Sequence, residues 1–365
     1  MYIRVSKKQG MMQHRVTRQL LSWYDENQRE LPWRGTTDPY LIWVSEIILQ
    51  QTRVAQGWDY YVRFTRRFPN VEKLANASEE EVLKLWQGLG YYSRARNLHA
   101  AAKDIMNRFN GQFPTRYPDI LSLKGIGEYT AAAISSIAFN EPHAAIDGNV
   151  LRVIARLFKI EEPVQSTRGK RIIKELVEAL LPEERPGTFN QALMDLGSLL
   201  CMPRQPKCDD CPLTDSCMAH ASGRTDELPI RLKRRKAKKR YFTYLHIQQG
   251  GCIYIQQRTG NDIWRNLYEF PLIETDKPIE LSELLHNDEY NRLLGEITSL
   301  SIDGPFIYKH LLTHQQIHAN FYRVTLEKGT VHTLQNQYVQ IAEEEMKRYP
   351  ISRLMHKYLE TNSPK

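Results

Sequence analysis

The stretch LKGIGEYTAAAI, Leu123 to Ile134, decides how the rest of the chain is read. Two glycines, Gly125 and Gly127, stand just before a run of small residues, TAAAISSIAF. Such a run suits a helix that packs closely against its neighbours. Glycine carries no Cβ, so a backbone built on it can turn its N–H groups outward and approach a ligand. A helix that starts at such a turn adds the positive end of its dipole. Together these make an anion site the size of a phosphate. Taken alone, the pattern is equally an ordinary turn between two helices.

The flanking sequence changes that balance. Apolar residues recur at helical spacing in VTRQLLSWY, YLIWVSEIILQQ and EEEVLKLWQGLGYY, so residues 14 to about 220 read as helical. Ser78 followed by Glu79, Glu80 and Glu81 is an N-cap with first-turn acids. The glycine turn is then a helix–hairpin–helix pattern over 120–134, a way of gripping a DNA backbone without reading sequence. Some twenty residues on comes AAIDGNVLRVIARLF, in which Asp147 opens an amphipathic helix. A capping carboxylate accepts N–H bonds that favour its ionised form, and an ionised Asp aimed into a cleft can stabilise a developing cation. Upstream, Glu46 is set among Trp43, Val44, Ile47 and Ile48, where burial should raise its pKa. One carboxyl kept protonated and one kept ionised is the division of labour in glycoside hydrolysis. The plain alternatives are a surface glutamate and a simple cap.

At 365 residues the chain has room for two or three domains, and no run is apolar enough to span a membrane. The start, MYIRVSKKQGMMQHRV, is basic without an apolar core, which points away from a secretory signal and toward the cytoplasm, on the nucleoid if the source is bacterial. The net charge of +8 sits in one run, RLKRRKAKKR. Without its eight basic residues, 42 cationic side chains face 42 acidic ones. The charge therefore argues weakly for a polyanionic partner and equally for a solvated linker. Residues 223–240 read as that linker. Beyond it, YFTYLHIQQGGCIYIQQR is a hairpin around Gly250–Gly251, IHANFYRVTLE a strand, and LSELLHNDEYNRLLGEI and RYPISRLMHKYLE helices. The expected fold is multi-domain, with a mainly α region over 1–222 and an α+β domain over 241–365.

Four of the five cysteines crowd into CMPRQPKCDDCPLTDSC, as Cys201, Cys208, Cys211 and Cys217. Disulfides, zinc and an iron–sulfur cluster all compete for that loop. A cytoplasmic setting weakens the first, and a single Cys-x-x-Cys pair weakens the second. Cys252, alone in a strand, reads as a core residue.

These features together resemble the helix–hairpin–helix base-excision glycosylases. In that superfamily the Cys-x6-Cys-x2-Cys-x5-Cys spacing ligates a [4Fe–4S] cluster, so the resemblance assigns one to the loop 201–217. LPWR (31–34), WVSEIILQQTRV (43–54), LWQGLGYYSRARNLH (85–99) and FNQALMDLGSLLC (189–201) are most similar to adenine DNA glycosylases acting on adenine opposite 8-oxoguanine or guanine in duplex DNA. The resemblance implies that Glu46 protonates the leaving adenine, that Asp147 stabilises the sugar cation, and that Tyr129 and Asn149 hold these groups. It implies that Gln51 and Tyr91 wedge into the base stack and that Trp33, Arg34, Leu89 and Gly90 contact the extruded or opposing base. The related endonucleases place a lysine where this chain has Tyr129. A phenol forms no Schiff base, so base removal without strand cleavage is expected. For Tyr92 core packing is the better reading.

The C-terminal region resembles a Nudix fold through NDIWRNLYEFPL (261–272) but has no REx2EExG metal-binding helix, so it is expected to bind and not to hydrolyse. The family role is lesion recognition through a Phe-Ser-His loop. Here Leu312, Thr313 and His314 stand in its place, keeping a hydroxyl and the imidazole but not the aromatic ring. A monomer is expected. The competing readings are a non-catalytic damage sensor, a strand-cleaving endonuclease and a free-nucleotide hydrolase.

Overall fold

The computed structural model describes residues 7–232, 237–295, 297, 299–327 and 332–362. It divides into two compact units. The first holds residues up to Asn76 together with Asn97–Lys233; the second holds Ala77–Arg96 and everything from Arg234 onward.

The first unit is helical. Its long first helix, Lys7–Asn27, begins before the residue 14 expected from sequence. The helix Pro39–Leu49 carries Glu46, is capped by Asp38 and has Pro39 in its first turn. The helix Val54–Arg67 follows it. The hairpin joins Tyr117–Leu121 to Glu128–Ala138, and Thr130 to Ser136 of the second helix are all buried. Gly125 sits at φ 82°, and a Cβ there would come 2.6 Å from the Cβ of Asn97, so only glycine fits this turn. Asp147 caps Gly148–Leu157, whose apolar side joins Val16, Leu20, Phe189 and Leu193 in the main core. Gly197, in the helix Pro186–Leu199, lets that helix approach closely: a Cβ would meet the Cβ of Asn149 at 2.6 Å.

The second unit is built on a seven-stranded sheet of order β3-β2-β1-β6-β5, with β4 also on β1 and β7 on β2. The strands are β1 (Lys238–Gln249), β2 (Cys252–Gln257), β3 (Tyr268–Glu269), β4 (Leu272–Thr275), β5 (Leu300–Leu311), β6 (Gln315–Leu326) and β7 (Val339–Ala342). β1 and β6 run parallel and the other pairs antiparallel. Gly250 and Gly251, both at positive φ, close the β1–β2 hairpin as expected. The stretch 281–297 forms two short helices, not one, because Asn287 stops the first and caps the second with its side chain.

Two boundaries differ from the sequence reading. Strand β1 starts at Lys238, inside the basic run, because Arg240 is fixed in ion pairs with Asp262 and Glu274. Residues 233–236 of that run lie outside the described residues. The segment 77–96, read as part of a continuous 1–222 region, belongs by compactness to the second unit. Lys84 Nζ donates to the Tyr349 carbonyl at 2.9 Å, Tyr92 Oη to that of Ile351 at 2.9 Å, and Arg96 to that of Arg265 at 2.9 Å. Tyr92 is accordingly buried.

Candidate active site

A cavity of about 570 Å³ opens in the first unit among Glu46, Tyr129, Asp147 and Asn149. Four segments far apart in sequence deliver these side chains to one place. Tyr129, in the first turn of the helix after the glycine hairpin, donates to Glu46 Oε2 at 2.7 Å. Burial pushes the Glu46 carboxyl above its ordinary range; the Tyr129 hydrogen bond and the Arg34 charge oppose that rise, and Asp147 adds to it. Burial also lifts the Tyr129 phenol well above its usual value, so it remains a donor.

Asp147 accepts three hydrogen bonds: from the backbone N–H groups of Asn149 and Val150, each at 2.8 Å, and from Asn149 Nδ2 at 2.7 Å. The sequence reading has these bonds holding the carboxyl low. Its pKa instead lies above the ordinary value, because burial outweighs the three donors. The contrast between the two carboxyls is therefore one of hydrogen bonding. Asp147 is held by three N–H groups at a helix start, and Glu46 by one hydroxyl.

Arg29, Gln191, Met194 and Ser198, none of which had a role in the sequence reading, also line the cavity. Arg29 and Arg34 both bind Asp195, Arg34 at 3.1 Å and Arg29 in a shorter contact. Asp195 is fully buried, and its second oxygen has no partner among the described residues. Arg34 also donates to Tyr24 Oη, which donates to Gln191 at 3.0 Å. Arg29, Arg34 and Gln191 line the cavity, so one buried carboxylate fixes two cations in its wall. Gln191, Met194 and Ser198 recur at helical spacing and all line the cavity. That spacing was readable in FNQALMDLGSLLC; the pairing of Asp195 with Arg29 was not. Trp33 is nearly buried, lines the cavity, and packs edge-on against Tyr61 and Trp58 with centroids 5.3 and 6.2 Å away.

Of the proposed wedges, Gln51 is exposed at the cavity rim with φ 58°. That is a left-handed backbone on a residue that is not glycine, a conformation sustained only where surrounding structure imposes it. Gly125 and Gly127 are exposed in the hairpin turn. The remaining candidates belong to the second unit. Tyr91 is exposed, also left-handed with φ 47°, and its hydroxyl lies 2.8 Å from Thr313 Oγ1. The structure thus brings together two residues chosen for different reasons. Thr313 and His314 are exposed in the β5–β6 turn. Leu89 is buried and offers little surface, while the Gly90 carbonyl accepts from Trp86 Nε1 at 3.2 Å and Arg94 Nη2 at 3.3 Å.

The four loop cysteines face one small cavity with Arg156 and His220. Burial raises Cys211 to about 11 and lifts Cys208 and Cys217 as well, each helped by the neighbouring thiols. An iron–sulfur core takes such thiols as thiolates, and its positive charge offsets the cost of ionising Cys208, Cys211 and Cys217 side by side. Arg156 donates to Cys201 Sγ at 3.3 Å and to the Met202 carbonyl at 2.7 Å. Arg152 donates to the Cys201 and Gly197 carbonyls, both at 2.7 Å, and to Asn149 Oδ1 at 2.9 Å. A hydrogen-bonded path thus runs from the cysteine loop through Arg152 and Asn149 to Asp147.

Comparison with known proteins agrees with this geometry. Residues 44–181 match the HhH-GPD superfamily of base excision DNA repair proteins, residues 201–217 the iron-sulfur binding domain of endonuclease III, and residues 243–361 a NUDIX domain. An adenine DNA glycosylase of Buchnera aphidicola subsp. Baizongia pistaciae is 33% identical over 87% of this chain and 88% of its own length. The mouse adenine DNA glycosylase is 31% identical over 86% of this chain and 71% of its own. Among solved structures, a thermostable thymine-DNA glycosylase superposes with a TM-score of 0.54 at 30% identity, covering 58% of this chain and 98% of that one. A non-covalent endonuclease III–DNA complex, at TM-score 0.51 and 20% identity, shares the fold over 59% of this chain and 97% of its own.

Proposed function

Since the chain belongs to the adenine DNA glycosylase family of base-excision enzymes, which hydrolyse an N-glycosyl bond and carry a [4Fe–4S] cluster, we propose that it removes adenine opposite 8-oxoguanine or guanine in duplex DNA and leaves the strand intact. The observation that carries the reading is the meeting of Glu46, Asp147 and Tyr129 on one cavity. Chemistry at the base–sugar bond requires the adenine out of the stack, and a cavity of this size accepts an extruded purine. Glu46, its proton held by burial, gives that proton to the leaving adenine as the glycosidic bond breaks. The electron pair of the bond leaves with the base, and the sugar becomes an oxocarbenium ion. Asp147, its carboxylate fixed by three N–H groups, faces that positive charge. Water then adds at the anomeric carbon, and Glu46, now a carboxylate, accepts its proton.

Tyr129 takes the place at which an amine would attack the sugar. It donates a hydrogen bond and offers no Schiff base, which supports base removal without strand scission. Cys201, Cys208, Cys211 and Cys217 hold the cluster. When bound, the cluster cross-links the loop, and Arg152 and Arg156 carry that constraint into the helix that begins at Asp147. Gln51 and Tyr91 serve as wedges, and Thr313 and His314 face the opposing base. The protein works as a monomer on DNA.

The test is single-turnover incubation with a duplex carrying adenine opposite 8-oxoguanine, each sample split before electrophoresis and half treated with alkali. Breaks only after alkali are the expected result. Breaks without alkali would point to an amine nucleophile. Binding without product in either lane would move the chain to the class of damage sensors.

A further inference from the structure

The sheet of the second unit is covered unequally. On one face, Leu245, Ile247, Tyr322 and Val324 are roofed by Leu284, Tyr290, Leu293 and Leu334 of the short helices that flank the strand β5–β6 pair. That roof stops partway. Along β6 the buried positions are Ile317, Ala319 and Phe321 and then Tyr322, Val324 and Leu326, so the buried side switches at 321–322. The opposite face is sealed at Phe321 by the Tyr358 ring, stacked at 4.2 Å. On the half-face beyond it, Lys239, Ile307, Lys309 and Leu311 are exposed and Gln316, His318 and Asn320 half-buried.

Strand register gives its composition. One row across three strands is Leu311, Gln316 and Lys239; the next is Lys309, His318 and Tyr241. Ile307 and Asn320 form the third. None of these positions is acidic. Glu274 pairs with Phe242 on the other face, where Arg240 takes it together with Asp262. Tyr241 and His318 stack at 5.3 Å, and the charges of Lys239 and Lys309 both bear on His318. Ile307 and Leu311 are 74% and 69% exposed. Two such exposed aliphatics beside rows of polar and basic groups make a mixed surface of the kind that marks an interaction site. The first row lies next to the β5–β6 turn, whose His314 carbonyl accepts from the Lys238 N–H at 3.0 Å.

We propose that this half-face is a second DNA-contact surface, a platform that takes a phosphodiester backbone running past the turn 312–314. It rests on the DNA-directed reading above and adds a site to it. Lysines and side-chain amides meet phosphate oxygens, the Tyr241–His318 stack and the aliphatics meet sugar and base faces, and the absence of acids removes repulsion. One of these lysines belongs to the basic run: Arg240 is structural, and Lys239 continues the run onto the platform.

The experiment uses the full chain and a duplex in which the adenosine opposite 8-oxoguanine carries a 2′-fluorine, so that it binds without losing its base. Kd is measured against salt. K239Q/K309Q should lower the slope of log Kd against log salt by about 1.8, or about 0.9 per phosphate contact, and raise Kd at low salt about tenfold. I307E/L311E should raise Kd comparably. A wild-type slope in K239Q/K309Q overturns the proposal and leaves the face to a protein partner. The same loss of slope in K347Q/K357Q also overturns it, as an effect of net charge alone. Failure here is distinct from failure of the enzymatic reading: if the wild type releases adenine while K239Q/K309Q keeps the wild-type slope, only the platform is lost, and if K239Q/K309Q lowers the slope while the wild type releases no adenine, only the chemistry is lost.

Discussion

Replacing Tyr129 by Phe isolates one hydrogen bond, the 2.7 Å donation to Glu46 Oε2. The acceptor is a carboxyl oxygen, and the bond favours the ionised form of Glu46. Its loss leaves burial less opposed, so the Glu46 pKa must rise further. A hydrogen bond to a charged group contributes about 1.5–3 kcal/mol, which at about 1.36 kcal/mol per unit is a rise of about 1–2 pH units. The sign for catalysis follows. Glu46 delivers a proton, so the reaction needs its protonated form, and the rate falls as pH rises through its pKa. In Y129F the alkaline limb of the single-turnover profile should move up by about 1–2 units. The sign for stability is the same: a raised folded-state pKa contributes stability present below the unfolded value and lost as pH rises through the folded one. The assay is base release against pH at saturating enzyme for the wild type and Y129F. An unmoved limb, or one displaced toward acid, would refute the assignment of Glu46 as the proton donor and of Tyr129 as its partner.

Other perturbations test the surroundings. D195N removes the charge shared by Arg29 and Arg34 and leaves two cations in the cavity wall without it, which should cost about 3–5 kcal/mol, read as the denaturant midpoint. R152M unpairs the Cys201 and Gly197 carbonyls and the Asn149 carboxamide; we expect iron per chain to fall together with at least a tenfold loss of single-turnover rate. G125A forces a Cβ against Asn97 at a left-handed backbone, and it should weaken duplex binding while sparing the rate at saturating enzyme, as titration and single-turnover measurements would separate.

What the sequence made legible was local. The cap at Asp147, the cap at Ser78, the glycine turn and the Gly250–Gly251 hairpin each depend on residues within a few positions, and each is where the reading put it. The crowding of four cysteines into one loop is legible for the same reason, whereas the cluster they hold was assigned through resemblance. The convergence of Glu46 with Tyr129, 83 residues apart, was reached through resemblance, since no periodicity carries information across that distance. Asp195 escaped altogether. In sequence it is one acid on an amphipathic helix, and its meaning appears only when Arg29 and Arg34, more than 160 residues away, close on the same oxygen.

The same limit explains two points at which the structure differs from the sequence reading. Whether Asp147 sits above or below its ordinary pKa depends on two opposing effects, and only the donors were visible in the chain; the burial that outweighs them comes from the folded surroundings. The allocation of 77–96 likewise turned on backbone carbonyls at Arg265, Tyr349 and Ile351, which accept from Arg96, Lys84 and Tyr92. Carbonyls are common to every residue and mark nothing in a sequence. That allocation puts the exposed Tyr91 hydroxyl 2.8 Å from Thr313, so the wedge candidate and the recognition-turn candidate form one hydrogen-bonded pair within a single compact unit. Removing the Thr313 hydroxyl should therefore be felt at Tyr91 even where no DNA is bound.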